Sequence, residues 1–435
     1  MTKRGFFCPT FFLSLKACYS GSLFFLSVNR FFYLFLQPTN IYGMNSITLK
    51  NGKDKSIFRY HPWIFSGAID RIEGKIQEGD LVKVYNAEKK FLAIGHYQIG
   101  SIAIRILSFK DEEINDAFWT NRLYKAYQMR CALGLCNSAD NNVYRLVHGE
   151  GDDLPGLVID MYAGVAVIQF HSVGMYLQRE TIARALVEIM GNKITAIYDK
   201  SEATLPYKAA IEPENGYLYG KTENFIAQEN GLKFHVDWLE GQKTGFFIDQ
   251  RENRRLLEKY AKDKSVLNMF CYTGGFSFYA MRGGAKQVHS VDVSARAIEL
   301  ANRNVELNFP KDTRHEAFAE EAFKFLEHSS NQYDVIILDP PAFAKHQNVL
   351  NNAIQGYKKL NRKGMEVIKP GGILFTFSCS QVMTKDLFRQ TVFTAAANTG
   401  RKVKILHQLT QPADHPISIY HPEGEYLKGL VLYVE

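Results

Sequence analysis

The chain has 435 residues, 46% hydrophobic and 22% charged, with a formal net charge of +7 at pH 7. That length suits about two or three domains, and the composition excludes a disordered chain and supports ordinary buried cores. The six cysteines, at 8, 18, 131, 136, 271 and 379, form neither a Cys-x-x-Cys pair nor a secreted disulfide framework. A reducing compartment, the cytoplasm, is therefore expected, and no metal site is.

Residues 1–43 stand apart. They hold nine of the 31 Phe, carry Lys3, Arg4, Lys16 and Arg30 without any Asp or Glu, and supply four of the seven net positive charges. A membrane-spanning helix needs roughly 20 uninterrupted apolar residues, but Lys16, Ser20, Ser22, Asn29 and Arg30 break this stretch into short runs. No small-x-small cleavage site closes a single apolar core, as a signal peptide would require. The segment is expected to be an extension outside the fold, with translation starting at Met44 and no membrane partner; the alternative is a membrane tether or targeting segment.

From 44 to 114 the pattern is short β-strands. Apolar residues alternate in Asp80-Leu81-Val82-Lys83-Val84-Tyr85, Phe91-Leu92-Ala93-Ile94 and Ile102-Ala103-Ile104-Arg105-Ile106, punctuated by Asn86, Gly95 and Gly100, which predicts a small β-barrel. Lys50, Arg59, His61 and Trp63 interleave basic and aromatic side chains, a combination that can pair phosphates and stack unpaired bases. The alternative is that Trp63 and Phe65 are barrel core and the lysines a solvated face.

Residues 115–235 are expected to form a central α/β domain. Phe118, Leu123, Tyr127, Met129 and Leu133 have helical spacing, with Arg122, Lys125 and Arg130 along the same segment. The stretch from Arg145 to Gly156 is dense in charge and glycine. It is expected to be a turn between two strands, with His148 in a structural role.

The chemistry-bearing motifs fall in residues 236–435. Ser265-Val266-Leu267-Asn268-Met269-Phe270 predicts a buried strand, Cys271-Tyr272-Thr273-Gly274-Gly275 a tight loop, and residues 276–281 the start of a helix. Such a loop brings the backbone close to a ligand, at a helix N-terminus with unsatisfied N–H groups. Asp292 ends the next strand, placed to accept hydrogen bonds from ribose hydroxyls. The site suits an adenosine-bearing cofactor, and the spaced Gly-x-Gly-x-x-Gly of a pyrophosphate binder is missing.

Asp339-Pro340-Pro341 follows the strand signal at 333–338, and its two prolines hold the carboxylate rigidly over the cleft. A base methyltransferase has a use for such a group, which can bind a pyrimidine edge. Enzymes that methylate adenine or guanine amines commonly place an aromatic after the two prolines, where this chain has Ala342.

Cys379, between Ser378 and Ser380, ends a further strand that begins after Lys369-Pro370-Gly371-Gly372. Carbon 5 of cytosine is too weak a nucleophile to take a methyl group directly, so a thiolate must first add at carbon 6. Asp339 would assist by hydrogen bonding at ring nitrogen 3 and the amino group. The competing reading is a buried structural cysteine. Cys271 has the weaker claim to catalysis.

Several long motifs occur in a recognisable order: His61 to Gly67, Arg145 to Glu150, Lys243 to Arg254, Tyr272 to Phe276, Asp339 to Phe343, Phe377 to Ser380 and Tyr426 to Gly429. In these the chain, from about residue 46 onward, resembles the RlmI-type 23S ribosomal RNA (cytosine-C5)-methyltransferases. The resemblance implies a PUA domain, a central α/β domain and a Rossmann-like class I methyltransferase domain, with S-adenosyl-L-methionine as cofactor. It also implies cofactor contacts at Phe246, Asp249, Gln250, Arg251, Tyr272, Thr273, Gly274, Gly275 and Asp292, with Cys379 as nucleophile. Asn268, on the strand feeding the loop, joins that set.

The chain departs from the family at Glu321-Ala322-Phe323, where an Asp usually stands first, so the adenine-amine contact falls to Glu321 or Glu320. No cysteine directly follows Pro340, where Pro341 stands, and the base that takes the carbon 5 proton is not identified by sequence. The implied partner is 23S ribosomal RNA, naked or in a large-subunit assembly particle, bound by a monomer or a homodimer. Two other readings remain. One is a methyltransferase acting on another atom or RNA, with Cys379 structural; the other is a non-catalytic RNA-binding assembly factor. The modest charge beyond residue 43 points to local basic patches that read folded RNA.

Overall fold

The computed structural model describes residues 45–206, 211–344 and 346–435; the expectation for residues 1–43 lies outside them. Among the described residues no helix is long and apolar enough to cross a membrane.

The alternating segments near the start form a six-stranded sheet. Its strands include Ser46–Leu49, Leu81–Tyr85, Phe91–Tyr97 and Ile102–Ser108. Alternation sends Ile47, Leu49, Val82, Val84, Ile104 and Ile106 to one apolar interior. The end strands, Trp63–Phe65 and Ile69–Glu73, are not paired with each other among the described residues, so the expected barrel is incompletely closed.

The predicted helix spans Asp116–Ala132 and starts where the Asn115 side chain accepts the Phe118 N–H at 3.1 Å. A five-stranded sheet follows, covering Val143–His148, Leu157–Tyr162, Val165–Phe170, Ala196–Asp199 and Gly216–Gly220. The Arg145-to-Gly156 stretch is the end of one of these strands and the turn into the next, as expected. The boundary drawn at 235 is not a break in packing. Val143, Tyr162 and Val167 from this sheet share one apolar cluster with Phe246, Val266 and Phe278 beyond that boundary.

The C-terminal region is built on seven strands, labelled here in their own order: β1 (Ser265–Met269), β2 (Gln287–Asp292), β3 (His315–Ala319), β4 (Val335–Leu338), β5 (Gly372–Ser378), β6 (Val403–Thr410) and β7 (Lys428–Val434). They lie in the order β3-β2-β1-β4-β5-β7-β6. Strands β1 to β5 are parallel, and β7 runs antiparallel to both β5 and β6. Every residue of β1 and β4 is buried, because helices cover both faces of a parallel sheet and its central strands become continuous apolar runs. Strand order reverses between β1 and β4, and in open α/β sheets the crevice at such a switch point receives the ligand.

Candidate active site

On the β1 side of the crevice the loop at 270–274 is held in an unusual backbone form. Phe270, Tyr272 and Gly274 have φ of 58°, 47° and 86°, and the first two pay a steric cost that glycine avoids. Three bonds hold the loop. Cys271 N–H donates to the Val291 carbonyl at 3.0 Å, Gly274 N–H to the Cys271 carbonyl at 2.8 Å, and Tyr272 N–H to Asp292 Oδ2 at 3.0 Å. A Cβ at Gly274 would sit 2.5 Å from the Phe278 ring, so no larger residue fits there. The loop opens into the helix Gly275–Arg282. Asp292, half-buried, also accepts the Ser294 N–H at 3.0 Å, so both of its carboxylate oxygens are held by backbone N–H groups beside the loop.

Across the switch point, Asp339 and Cys379 at the ends of β4 and β5 meet a second carboxylate, Asp249, from the short turn Ile248–Gln250. Gln250 Nε2 donates to Asp339 Oδ2 at 3.0 Å and is itself held through its Oε1 by Asn253 at 2.6 Å. The Tyr426 hydroxyl donates to Asp249 Oδ2 at 2.7 Å, while Asp249 Oδ1 is buried with no partner among the described residues. Burial and the neighbouring charge of Asp249 push Asp339 up to about 7. Burial, then Asp339 and Asp249, push the Cys379 thiol up to about 12. The resting sulfur is therefore protonated, and near neutrality Asp339 shares its population between acid and carboxylate.

The turn after Cys379 is fixed from two directions. Ser378 donates to the Tyr357 hydroxyl at 3.0 Å. Buried Lys428 donates to the Ser380 and Met383 carbonyls, each at 2.6 Å. Burial lowers this ammonium to about 8. Lys428 lies in the Tyr426 to Gly429 motif, where spacing alone points to no role for it.

Several expected contacts are placed elsewhere by the structure. Phe246 is core: its ring packs 4.7 Å from Phe234 and under the Arg254 guanidinium. The next residue, Phe247, is the half-buried one, with its ring 5.3 Å from Tyr272. Asn268 points beneath the helix, donating to Ser277 at 2.9 Å, and Ser277 continues to Ser290 at 2.6 Å. Thr273 is buried. Glu321 caps the helix Ala322–Glu327 by accepting the Lys324 N–H at 2.9 Å, and Glu320 pairs with the Lys324 ammonium.

Arg251 is the largest departure, because both arms of its guanidinium bind Asp414, each at 2.9 Å, with both residues buried. Asp414 also accepts the Arg145 N–H at 3.0 Å, and its carbonyl accepts from Arg130 at 2.8 Å. This hub pins the loop before β7 to the central sheet. Arg251→Ala strands a buried carboxylate and is expected to cost about 3–5 kcal/mol, read as a lower midpoint in urea denaturation.

In the region expected to bind RNA, Lys50 and Arg59 are exposed. His61 and Trp63 are not open for stacking. Trp63 donates from Nε1 to Glu150 at 2.8 Å and its ring lies 4.3 Å from that of His421. Phe58 and Tyr60, in and just after the short helix Ile57–Arg59, are exposed, as is Phe65. Tyr60, Phe109, Arg122 and Tyr420 line a groove of about 260 Å³, and none of the residues lining it belongs to the site around Cys379.

Comparison with known proteins matches this architecture. The S-adenosylmethionine-dependent methyltransferase family pattern covers residues 144–421, and a PUA-like domain pattern covers 47–109. A ribosomal RNA large subunit methyltransferase I from Enterobacter sp. (strain 638) is 41% identical over 395 residues, spanning 89% of this chain and 99% of that protein. Among solved structures, a protein described as an S-adenosylmethionine-dependent methyltransferase from Streptococcus mutans superposes with a TM-score of 0.76 at 23% identity, covering 89% of this chain and 100% of the other. A methyltransferase complexed with S-adenosylhomocysteine gives 0.77 at 24% identity, with the same coverage. At those identities the two structures establish the fold.

Proposed function

The chain belongs to the S-adenosylmethionine-dependent methyltransferases, related to the ribosomal RNA large subunit methyltransferase I proteins, and from that premise we propose that it methylates carbon 5 of a cytosine in 23S ribosomal RNA through a covalent Cys379 adduct. The observation that carries this reading is the Cys379 thiol beside Asp339, at the ends of adjacent strands across the switch point from the glycine loop.

The residues around the crevice fit the cofactor. The loop at 270–274 runs into the N-terminus of the helix Gly275–Arg282, Asp292 stands half-buried beside it, and across the switch point the orphaned Asp249 Oδ1 lacks a donor that a cationic or N–H-bearing ligand can supply. S-adenosylmethionine supplies an electrophilic methyl group on a sulfonium sulfur. Asp339, as the carboxylate, takes the Cys379 thiol proton and, now in its acid form, donates it to ring nitrogen 3 of the cytosine as sulfur adds at carbon 6; after methylation the carbon 5 proton passes to water, and nitrogen 3 returns its proton through Asp339 as the sulfur leaves. Gln250 and Asn253 keep that carboxyl in place. Lys428, through the Ser380 and Met383 carbonyls, holds the sulfur's turn against the pull of the substrate.

Incubation with tritiated S-adenosylmethionine and 23S RNA lacking its native modification, followed by digestion to nucleosides, is expected to place the label in 5-methylcytidine. Label in another nucleoside would replace this reading with methylation of a different atom. Asp292→Ala is expected to weaken cofactor binding by on the order of 10–100-fold, the loss of charge-assisted hydrogen bonds, measured by calorimetry. RNA affinity should be unchanged.

A further inference from the structure

Away from the thiol site, His61 meets His421 and Glu423 from the loop preceding β7. One ligand atom from each lies within 4.8 Å of the others. His61 Nε2 is 3.5 Å from Glu423 Oε1, and His421 Nε2 is 3.7 Å from Glu423 Oε2. A tetrahedral zinc site with bonds of roughly 2.0–2.1 Å separates its donors by about 3.4 Å, so small side-chain movements bring all three onto one ion.

His421 supplies the independent observation. It is 3% exposed, and neither ring nitrogen has a hydrogen-bond partner among the described residues. A buried imidazole left unpaired is costly and calls for an occupant. Trp63 packs against its ring, and Glu150 fixes Trp63. Glu423, with 47% of its side chain exposed, keeps one side of the cluster open to solvent.

We propose that His61, His421 and Glu423 bind one divalent transition cation of the zinc class, with its fourth position open, and so clip the loop before β7 to the PUA-like region. Two imidazoles and one carboxylate suit zinc better than magnesium or calcium, which take oxygen ligands. The absence of Cys-x-x-Cys pairs bears only on cysteine-ligated sites. This inference does not depend on which RNA atom is methylated.

The full chain, stripped with a chelator, is titrated with zinc chloride against a chromophoric competitor. The expected result is one equivalent bound with an affinity of ~1 μM or tighter, falling by about 100-fold in Glu423→Gln and His421→Ala. Glu423 is at the surface, so its substitution keeps the test valid if His421→Ala misfolds. Equal zinc binding by the parent chain and Glu423→Gln overturns the site. So does failure to bind at ~100 μM, or loss of the equivalent in Cys131→Ser.

Discussion

Cys379→Ala is expected to bind S-adenosylmethionine as the parent chain does and to methylate 23S RNA more slowly by on the order of 10⁴-fold or more. Without sulfur at carbon 6 the ring never becomes an enamine, and carbon 5 has no electron pair to offer. Cys379→Ser should be no better, since an alcohol at that position is far less acidic than a thiol already pushed up to about 12. RNA carrying 5-fluorocytidine sharpens the test. Fluorine leaves carbon 5 without a proton to lose, so the adduct stays covalent and should survive denaturing electrophoresis with the parent chain and be absent with Cys379→Ala. Methylation retained by Cys379→Ala would make the cysteine a packing residue and shift the reaction to another atom.

Asp339→Asn is expected to separate two effects of one carboxylate. Methyl transfer should fall by on the order of 10²–10³-fold, as the group that protonates and holds nitrogen 3 is lost. At the same time the sulfur should become easier to alkylate at pH 8, because removing one negative neighbour lowers the thiol towards its ordinary value. Burial, the larger cause, still keeps it above its ordinary value. Stability should move as well. Asp339 titrates near 7 in the fold against 3.8 ordinarily, so the folded protein favours its proton. That contribution is fully present below the ordinary value and is lost as pH rises through about 7. Asp339→Asn should therefore melt above the parent chain at pH 8, and the gain should shrink towards pH 4. Unchanged alkylation together with intact methylation would remove Asp339 from the mechanism.

Periodicity made the scaffold readable because it is a local property. The alternation in 80–85 and 102–106 became strands Leu81–Tyr85 and Ile102–Ser108, and the apolar runs at 265–270 and 333–338 became the central strands β1 and β4. Strand ends in a parallel sheet point to one edge, so the strand pattern alone puts Asp292, Asp339 and Cys379 at a common crevice. Proline and glycine punctuation located the loops that carry them.

The roles of individual side chains were less legible wherever distant residues decide them. In Phe246-Phe247 the spacing does not say which ring enters the core; the ring of Phe234 and the Arg254 guanidinium do. Arg251 sits in a motif that resembles a cofactor-lining segment, yet a carboxylate 163 residues away takes both its arms. His61 and Trp63 read as base-stacking groups until His421 and Glu150 close over them. By itself the sequence determined the α/β architecture, the order of the strands that carry chemistry, and the thiol and carboxylate at their ends, because backbone periodicity and turn chemistry act over a few residues. Only the tertiary structure decided which charged and aromatic side chains face the crevice and which are consumed in buried pairs. Desolvating such groups is tolerable only with a partner in place, and that partner is brought by packing from far along the chain.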